Sequence, residues 1–216
     1  MMHWIDVLML PLWETIYMVF VSVFFTVLFG LPLGVILVIT EQDHICPKPV
    51  LNAVLSYIIN ITRSLPFIIL MIFIFPFTRL IVGTTIGTTA AIVPLVVAST
   101  PFFARIVETS IREVDWGVVE ASIAMGASPM QIILKVLIPE AMPSLVLGTT
   151  ITIINVLGYS AMAGAIGAGG LGDLAVRYGY HRFQTDVMIA TIIVLIIFVQ
   201  VMQSLGNKVA QIINKK

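Results

Sequence analysis

Long apolar stretches separated by short polar segments dominate this sequence. Five of them approach the roughly 20 apolar residues that a membrane-spanning helix needs, at residues 16–39, about 51–77, 80–104, 141 to about 163, and 187 to about 205. The second is the least regular, because Asn60, Thr62, Arg63 and Ser64 interrupt it. Residues 51–60 can instead be an interfacial lead-in to a span that begins near Ser64. The pattern predicts an all-α membrane protein with five transmembrane helices, in a single domain over residues 1–216.

Composition supports the membrane assignment. Hydrophobic residues make up 59% of the chain and charged residues 10%, against about 25% charged residues in soluble domains. The formal net charge is zero, so nucleic acid is not an expected partner and the lipid bilayer is. A bundle of this size is too small to enclose a substrate path comfortably by itself, which suggests self-association.

Lysine and arginine residues predict the orientation, because they concentrate on the cytoplasmic side of membrane proteins. With the N-terminus outside, the inner segments hold Lys48, Arg105, Arg112, Lys135, Lys208, Lys215 and Lys216. The outer segments then hold only Arg79, Arg177 and Arg182. We therefore expect an N-out, C-in topology. Residues 1–12 carry neither a positive region nor a small-residue cleavage site, so a removed signal peptide is not expected.

A polar segment at about residues 113–140 carries two predicted short helices. Asp115 is a suitable N-cap for a helix over residues 116–125, on which small and apolar residues share a stripe: Val118, Ala121, Ser122 and Met125. Gly126 ends this helix, since glycine adopts a positive φ at little cost. With N-out topology the segment lies in the cytoplasm.

The second helix of this segment has its own start and stop signals. Ser128, Pro129 and Gln131 occupy the cap, first and third positions of a capping box. Pro139 restricts the residue before it and predicts the end of this helix. The segment is therefore predicted to form a helix, a sharp turn and a second helix. The stripe of small and apolar residues on the first helix is suited to bind in the groove of a partner protein.

This segment resembles the EAA loop of type I ABC importer permeases: Glu-Ala-Ala, three residues, Gly, nine residues, then Ile-x-Leu-Pro. Here the pattern reads Glu120-Ala121-Ser122, Gly126, Val136-x-Ile138-Pro139, with the full spacing. The resemblance implies docking into an ATPase subunit through Glu120, Ala121, Ser122, Met125, Gly126, Ala127, Ser128, Pro129 and Pro139. The alternative is a connector lying on the bilayer surface, for which the small residues Ala121, Ser122 and Gly126 offer little area.

Polar residues inside the spans are candidates for a translocation pathway, because each is costly in lipid. One face of the fourth span carries Gly148, Thr152, Asn155, Tyr159 and Met162, at spacings of 4, 3, 4 and 3. These side chains either line a pathway or form hydrogen bonds between helices. Arg63 either meets a substrate carboxylate or extends to the inner interface.

Two groups of glycines suggest close helix packing. Gly30 and Gly34, with Pro32 between them, form either a packing notch in the first span or a kink. A cluster between the fourth and fifth spans comprises Gly164, Gly167, Gly169, Gly170 and Gly172. It lacks the following Lys-Ser/Thr and the preceding strand of a phosphate-binding loop, so tight packing or a re-entrant turn is the better interpretation.

No catalytic or metal-binding pattern is found. His3, His44 and His181 lack metal-ligand spacing, and neither GxSxG, HExxH nor paired intramembrane carboxylates occur. An enzyme is therefore not expected. A proton-coupled transporter is disfavoured as well, because it would carry acidic or histidine residues at membrane depth.

Residues 157–172, 63–70 and 76–79 further resemble the permeases of methionine ABC importers, and the likeness extends over essentially the whole chain. It implies a multi-pass protein of the bacterial inner membrane, working as a homodimer with two ATPase subunits and a methionine-binding lipoprotein. ATP and Mg²⁺ would bind to the ATPase, with no cofactor in this chain, and transport would proceed by alternating access. The alternatives are a permease for glycine betaine, phosphonate or another amino acid, and a non-energised channel or scaffold.

Overall fold

The computed structural model describes the backbone of residues 4–214 and the side chains of residues 7–214. His3, Lys215 and Lys216 therefore lie outside the described residues. Within them the secondary structure is helical, as the sequence predicts. The α-helices are α1 (Trp4–Ile39), α2 (Pro49–Ser64), α3 (Phe67–Phe73), α4 (Phe75–Val82), α5 (Thr88–Arg112), α6 (Trp116–Ala124), α7 (Pro129–Ile132), α8 (Ile138–Ala163), α9 (Gly170–Leu174) and α10 (Thr185–Ile213). Three π-helical segments connect them at Ile133–Leu137, Gly164–Ala168 and Ala175–Tyr180.

Four helical stretches of the described chain are long and apolar enough to cross a membrane: Val7–Ile39, Thr88–Arg112, Pro129–Ala168 and Thr185–Ile213. A fifth span is possible only as a bent pair, because α2 and α3 meet at 105°. The bend falls at Leu65 and Pro66, directly after the polar residues that interrupt the second predicted span. The all-α membrane fold is thus confirmed, with four to five spans.

Two predicted span boundaries differ from the structure. The first helix begins at Trp4 rather than at residue 16, and Pro11 and Glu14 lie within it. The half-buried Glu14 carboxylate accepts a hydrogen bond from the Gly170 amide (2.7 Å), so a partner satisfies its polar oxygen. The third predicted span, 80–104, is split: α4 ends before Gly83, whose φ is +82°, and α5 begins at Thr88.

The prediction that Pro139 ends the second helix of the polar segment is wrong. The chain stays helical from Pro129 through Pro139 to the end of α8 at Ala163. Proline lacks an amide hydrogen and clashes with the carbonyl four residues earlier. The π-helical turn Ile133–Leu137 lies directly before Pro139, and such a wider turn accommodates a break in the regular hydrogen-bond ladder. The polar segment therefore continues directly into the membrane helix α8.

The notch at Gly30 and Gly34 holds α1 against α5. A Cβ atom on Gly34 would lie 2.5 Å from Val107 Cβ and 2.6 Å from the Ala104 carbonyl oxygen. At Gly30 the nearest atoms, on Phe103 and the Thr100 carbonyl, would be at 3.0 and 3.1 Å. The two helices approach so closely that no side chain fits at Gly34 and one at Gly30 is crowded. This confirms the packing interpretation.

The glycine cluster of residues 164–172 provides similarly close contacts at the C-terminal end of α8. A Cβ atom on Gly172 would lie 2.3 Å from the Ala161 carbonyl oxygen, and one on Gly164 would lie 2.5 Å from the Asp173 amide nitrogen. The amide of Gly87 also donates to the Gly167 carbonyl (3.0 Å). Helix α9 thus folds back tightly against the end of α8, and the prediction of tight backbone packing is confirmed.

Candidate coupling surface and translocation cavities

Helix α6 begins and ends as its sequence predicts. Asp115 Oδ1 accepts a hydrogen bond from the Gly117 amide at 2.7 Å, which caps the helix. Gly126 follows Met125 with a φ of +79°, a left-handed conformation that favours glycine. These two residues fix where α6 starts and in which direction the chain leaves it.

Helix α7 opens with a complete capping box. The Gln131 amide donates to Ser128 Oγ (3.4 Å), and the Ser128 amide donates to Gln131 Oε1 (2.8 Å). Pro129 occupies the first turn, where its missing amide hydrogen has no cost. The helix-turn-helix geometry of this segment is therefore determined by local contacts.

The outer side of this segment is an exposed apolar surface, which we call the coupling surface. Apart from Val119 and Ser122, the residues of α6 are exposed rather than buried. Large hydrophobic side chains on it keep 43% to 81% of their surface exposed: Trp116, Val118, Ile123, Met125, Met130 and Leu134. Contiguous exposed apolar surface of this kind marks an interaction site.

The residues predicted for ATPase coupling do not all reach this surface. Eight of the nine are accessible at least in part, namely Glu120, Ala121, Met125, Gly126, Ala127, Ser128, Pro129 and Pro139. Ser122 is buried, and its hydroxyl donates to the Val118 carbonyl (2.8 Å). The predicted stripe is thus divided, with Ser122 facing the bundle. Trp116 and Ile123, which were not among the predicted coupling residues, are exposed on this surface.

A second feature is an ion network beside the start of α6. Glu108 is buried and pairs with two guanidinium groups, those of Arg105 (2.6 Å) and Arg112 (2.7 Å). Arg112 also pairs with Glu41. Arg105 additionally donates to Asn60 Oδ1 (3.0 Å), which ties α2 to α5. The sequence signal for this network is the spacing of three and four residues between Arg105, Glu108 and Arg112, which places them on one helix face.

The loop between α1 and α2 touches the coupling segment directly. The His44 and Trp116 rings pack edge to face with centroids 5.2 Å apart. Burial lowers the pKa of His44 from its ordinary value of 6.5, while the nearby Glu41 carboxylate opposes this with a smaller effect. The docked loop therefore favours the neutral imidazole.

We expect acidification to release this contact. Because the pKa of His44 is lowered in the docked loop, docking is favoured fully above pH 6.5 and progressively less as the pH falls below it. Trp116 emission, recorded after Trp4 and Trp13 are replaced by Phe, should change with a midpoint below 6.5. The variant His44→Gln should abolish the change. A titration that persists in His44→Gln would contradict the assignment.

The predicted pathway residues of α8 have different environments. Thr152 is buried and donates to the Gly148 carbonyl (2.8 Å), while Gly148 packs on Ile106. These two positions serve helix packing. Asn155 Nδ2 is buried without a hydrogen-bond partner among the described residues, and Met162 is exposed.

The structure brings Tyr159 together with Arg63. Both line a cavity of about 130 Å³ between α2, α3, α5 and α8. The Tyr159 ring stacks on Phe67, with centroids 4.6 Å apart and planes 4° from parallel. Phe67 and Phe102 also line this cavity, and sequence analysis selected neither of them.

A larger cavity of about 380 Å³ lies alongside and shares Arg63 and Phe102 with the first. Its other lining residues include Arg105, Glu113, Ser144 and Gly148. Helix α5 therefore connects these cavities, through the ion network, to the start of α6.

Similarity to known proteins agrees with this architecture. The family described as binding-protein-dependent transport system inner membrane component matches residues 30–215. A probable D-methionine transport system permease of Vibrio cholerae serotype O1 is 49% identical, over 94% of this chain and 90% of the relative. The D-methionine transport system permease of Escherichia coli K12 is 55% identical over 70% of each chain.

Solved structures give the same result. A chain of the MetNI methionine ABC transporter in inward-facing conformations superposes with a TM-score of 0.96 and 48% identity, covering 98% of both chains. A chain of an amino acid ABC transporter crystallised with histidines shares the fold, with a TM-score of 0.79 and 20% identity. The resemblance to type I ABC importer permeases is confirmed. This chain belongs to the family of inner-membrane components of binding-protein-dependent transport systems, as a multi-pass ABC transporter permease and not an enzyme.

Proposed function

We propose that this chain is the membrane-spanning subunit of an ATP-driven methionine importer. The main observation behind this proposal is the exposed, capped helix-turn-helix at residues 113–140. It belongs to a fold that matches a chain of a methionine ABC transporter with a TM-score of 0.96. The relatives at 49% and 55% identity are described as D-methionine permeases, which supports methionine as the substrate.

In this proposal the coupling surface docks into an ATPase subunit that binds ATP and Mg²⁺. Met125 is 81% exposed and Trp116 is 44% exposed, as expected of apolar side chains that a partner covers. Glu120, Ala121, Gly126, Ser128 and Pro129 lie around them. With the expected N-out, C-in orientation this surface faces the cytoplasm, where an ATPase is available.

Transport proceeds by alternating access in a complex of two permease copies, two ATPase subunits and a methionine-binding lipoprotein. ATP binding closes the ATPase dimer and moves α6 and α7. Because α6 follows α5 directly and α7 continues into α8, movement at the coupling surface reaches the helices that line both cavities. Arg63, Asn155, Tyr159 and Met162 are the proposed pathway residues, with Thr152 supporting them from within the packing.

The proposal is tested by uptake into proteoliposomes that contain this chain, its cognate ATPase and the binding protein, with and without internal ATP. We expect ATP-dependent accumulation of methionine and no accumulation of glycine betaine or phosphonate. ATP-dependent accumulation of a different compound would support the assignment as an ABC permease but exclude methionine as its substrate. Flux that is indifferent to ATP would reject energised transport in favour of a channel.

A further inference from the structure

Arg63 lies at the end of a helix and beside two cavities. It is the second-last residue of α2, directly before the 105° bend into α3. Its side chain is exposed within this chain and lines, together with Phe102, both the small cavity and the larger one next to it. A charged side chain in or beside a membrane span normally faces protein, a cavity or the interface.

Arg63 also lacks a counter-charge. No hydrogen bond or ion pair joins it to any residue between positions 7 and 214. The other arginine that lines these cavities, Arg105, is already satisfied by Glu108, Asn60 and the Ser56 carbonyl. Of the two cations, therefore, only Arg63 has all of its donors and its full charge available for an anion.

Aromatic rings face the same cavity. Phe67 begins α3 immediately after the bend, and its ring stacks on that of Tyr159 from α8. Phe102 completes an aromatic lining from α5. Thioether sulfur makes favourable contacts with aromatic rings, and an unbranched chain adapts to irregular apolar space. A free guanidinium beside aromatic rings suits a carboxylate that carries a flexible apolar side chain.

We propose that this cavity is a substrate subsite within the permease, and this rests on the proposed function in methionine import. The substrate carboxylate binds Arg63, and the thioether side chain lies against Phe67 and Tyr159. Guanidinium groups bind carboxylates through paired, charge-assisted hydrogen bonds. The adjoining cavity, which shares Arg63 and Phe102, provides the way onward past Glu113 and Ser144. Arg105 attracts the substrate less there, because Glu108 neutralises its charge and three of its five N–H donors are already used.

Photo-labelling tests the subsite directly. The nucleotide-free complex of this chain and its ATPase is illuminated with photo-methionine, a diazirine analogue that retains the carboxylate, and the labelled peptides are mapped by mass spectrometry. We expect label on the segments around Phe67 and Tyr159. Arg63→Gln should reduce it at least ~10-fold, since charge-assisted hydrogen bonds are lost, and Arg63→Lys should restore part of it. Methioninol, which lacks the carboxylate, should compete at least ~10-fold less well than methionine.

Arg79→Gln is the matched control. Arg79 also has no partner among the described side chains, but it lines a different cavity with Phe75, Leu80 and Gly83. We expect unchanged labelling in this variant. Copurification with the ATPase establishes that each variant is folded, and Arg63→Lys provides a second variant if Arg63→Gln fails to assemble.

Three outcomes overturn the subsite, and they differ from failure of the proposed function. If Arg63→Gln is labelled as strongly as wild type, or if methioninol competes as well as methionine, then Arg63 does not bind the substrate carboxylate. If wild-type proteoliposomes accumulate methionine but label is absent from Phe67 and Tyr159, the subsite alone is rejected. If they accumulate no methionine, the substrate assignment fails and the subsite fails with it.

Discussion

Replacing Gly126 by Val should reduce ATP-dependent uptake at least ~10-fold while the protein still enters the membrane. Gly126 has a φ of +79°, and no atom within 4 Å would meet an added Cβ. The cost is therefore conformational, about 1–2 kcal/mol for a left-handed residue with a side chain, and larger for a β-branched one. Relaxing that strain would redirect α7 relative to α6 and displace Met125 and Ser128 on the coupling surface. An increase of roughly 1.4 kcal/mol in the activation free energy of the coupled step lowers its rate tenfold.

Uptake and ATP hydrolysis must be measured on the same proteoliposomes to separate uncoupling from misfolding. Gly83→Val is the matched control, because Gly83 has a φ of +82° and equally open surroundings but ends α4 at a distance along the chain from the coupling surface. Gly126→Asn should be milder, since asparagine tolerates the left-handed region. Uptake at the wild-type rate in Gly126→Val would count against docking through this turn.

Local features of the coupling segment were predictable because short-range chemistry determines them. The Asp115 cap, the Ser128 capping box and the positive φ of Gly126 each depend on residues no more than three positions apart. The packing notch at Gly34 was also visible as a small-residue spacing. What the sequence left open was the partner, which proved to be Ala104 and Val107 of α5.

Features that depend on distant residues were not predictable. Pro139 carries a stop signal, yet the π-helical turn before it lets the helix continue into α8. The first span was predicted to begin at residue 16, and the contact of the Glu14 carboxylate with the distant Gly170 amide accounts for a charged residue within α1 before that point. The cavity that joins Arg63 and Tyr159 requires the 105° bend and residues almost a hundred positions apart.

The packing of α6 bears on the proposed transmission of movement from the ATPase. Val119 and Ser122 are the buried contacts of α6 with the bundle, so the coupling helix has a small attachment area. At its start, however, Trp116 meets His44, and Arg112 on the preceding helix joins the buried Glu108. In the proposed mechanism, the lightly packed α6 would move when the ATPase closes, and α5, which leads into its N-terminal end, would receive the displacement.

Gly34→Leu should prevent assembly of the permease altogether. Even a single Cβ atom at this position would lie 2.6 Å from the Ala104 carbonyl oxygen and 2.5 Å from Val107 Cβ. The carbonyl belongs to the backbone of α5 and has no rotamer to change, so the helices must separate. Overpacking typically costs 1–3 kcal/mol, and separating α1 from α5 would also expose the buried Phe103 and Val107.

Two further variants make this a graded test. Gly30→Ala should destabilise less, because its nearest atoms lie at 3.0 and 3.1 Å and one of them is a side-chain carbon of Phe103. Leu28→Phe adds bulk to the same helix at a position that is 51% exposed, and should be tolerated. The measurement is the yield and thermal stability of the complex purified with its ATPase. Recovery of stable Gly34→Leu complex would mean that α1 can leave α5 without loss of the fold, and the close approach at Gly34 would then not be what holds the two helices together.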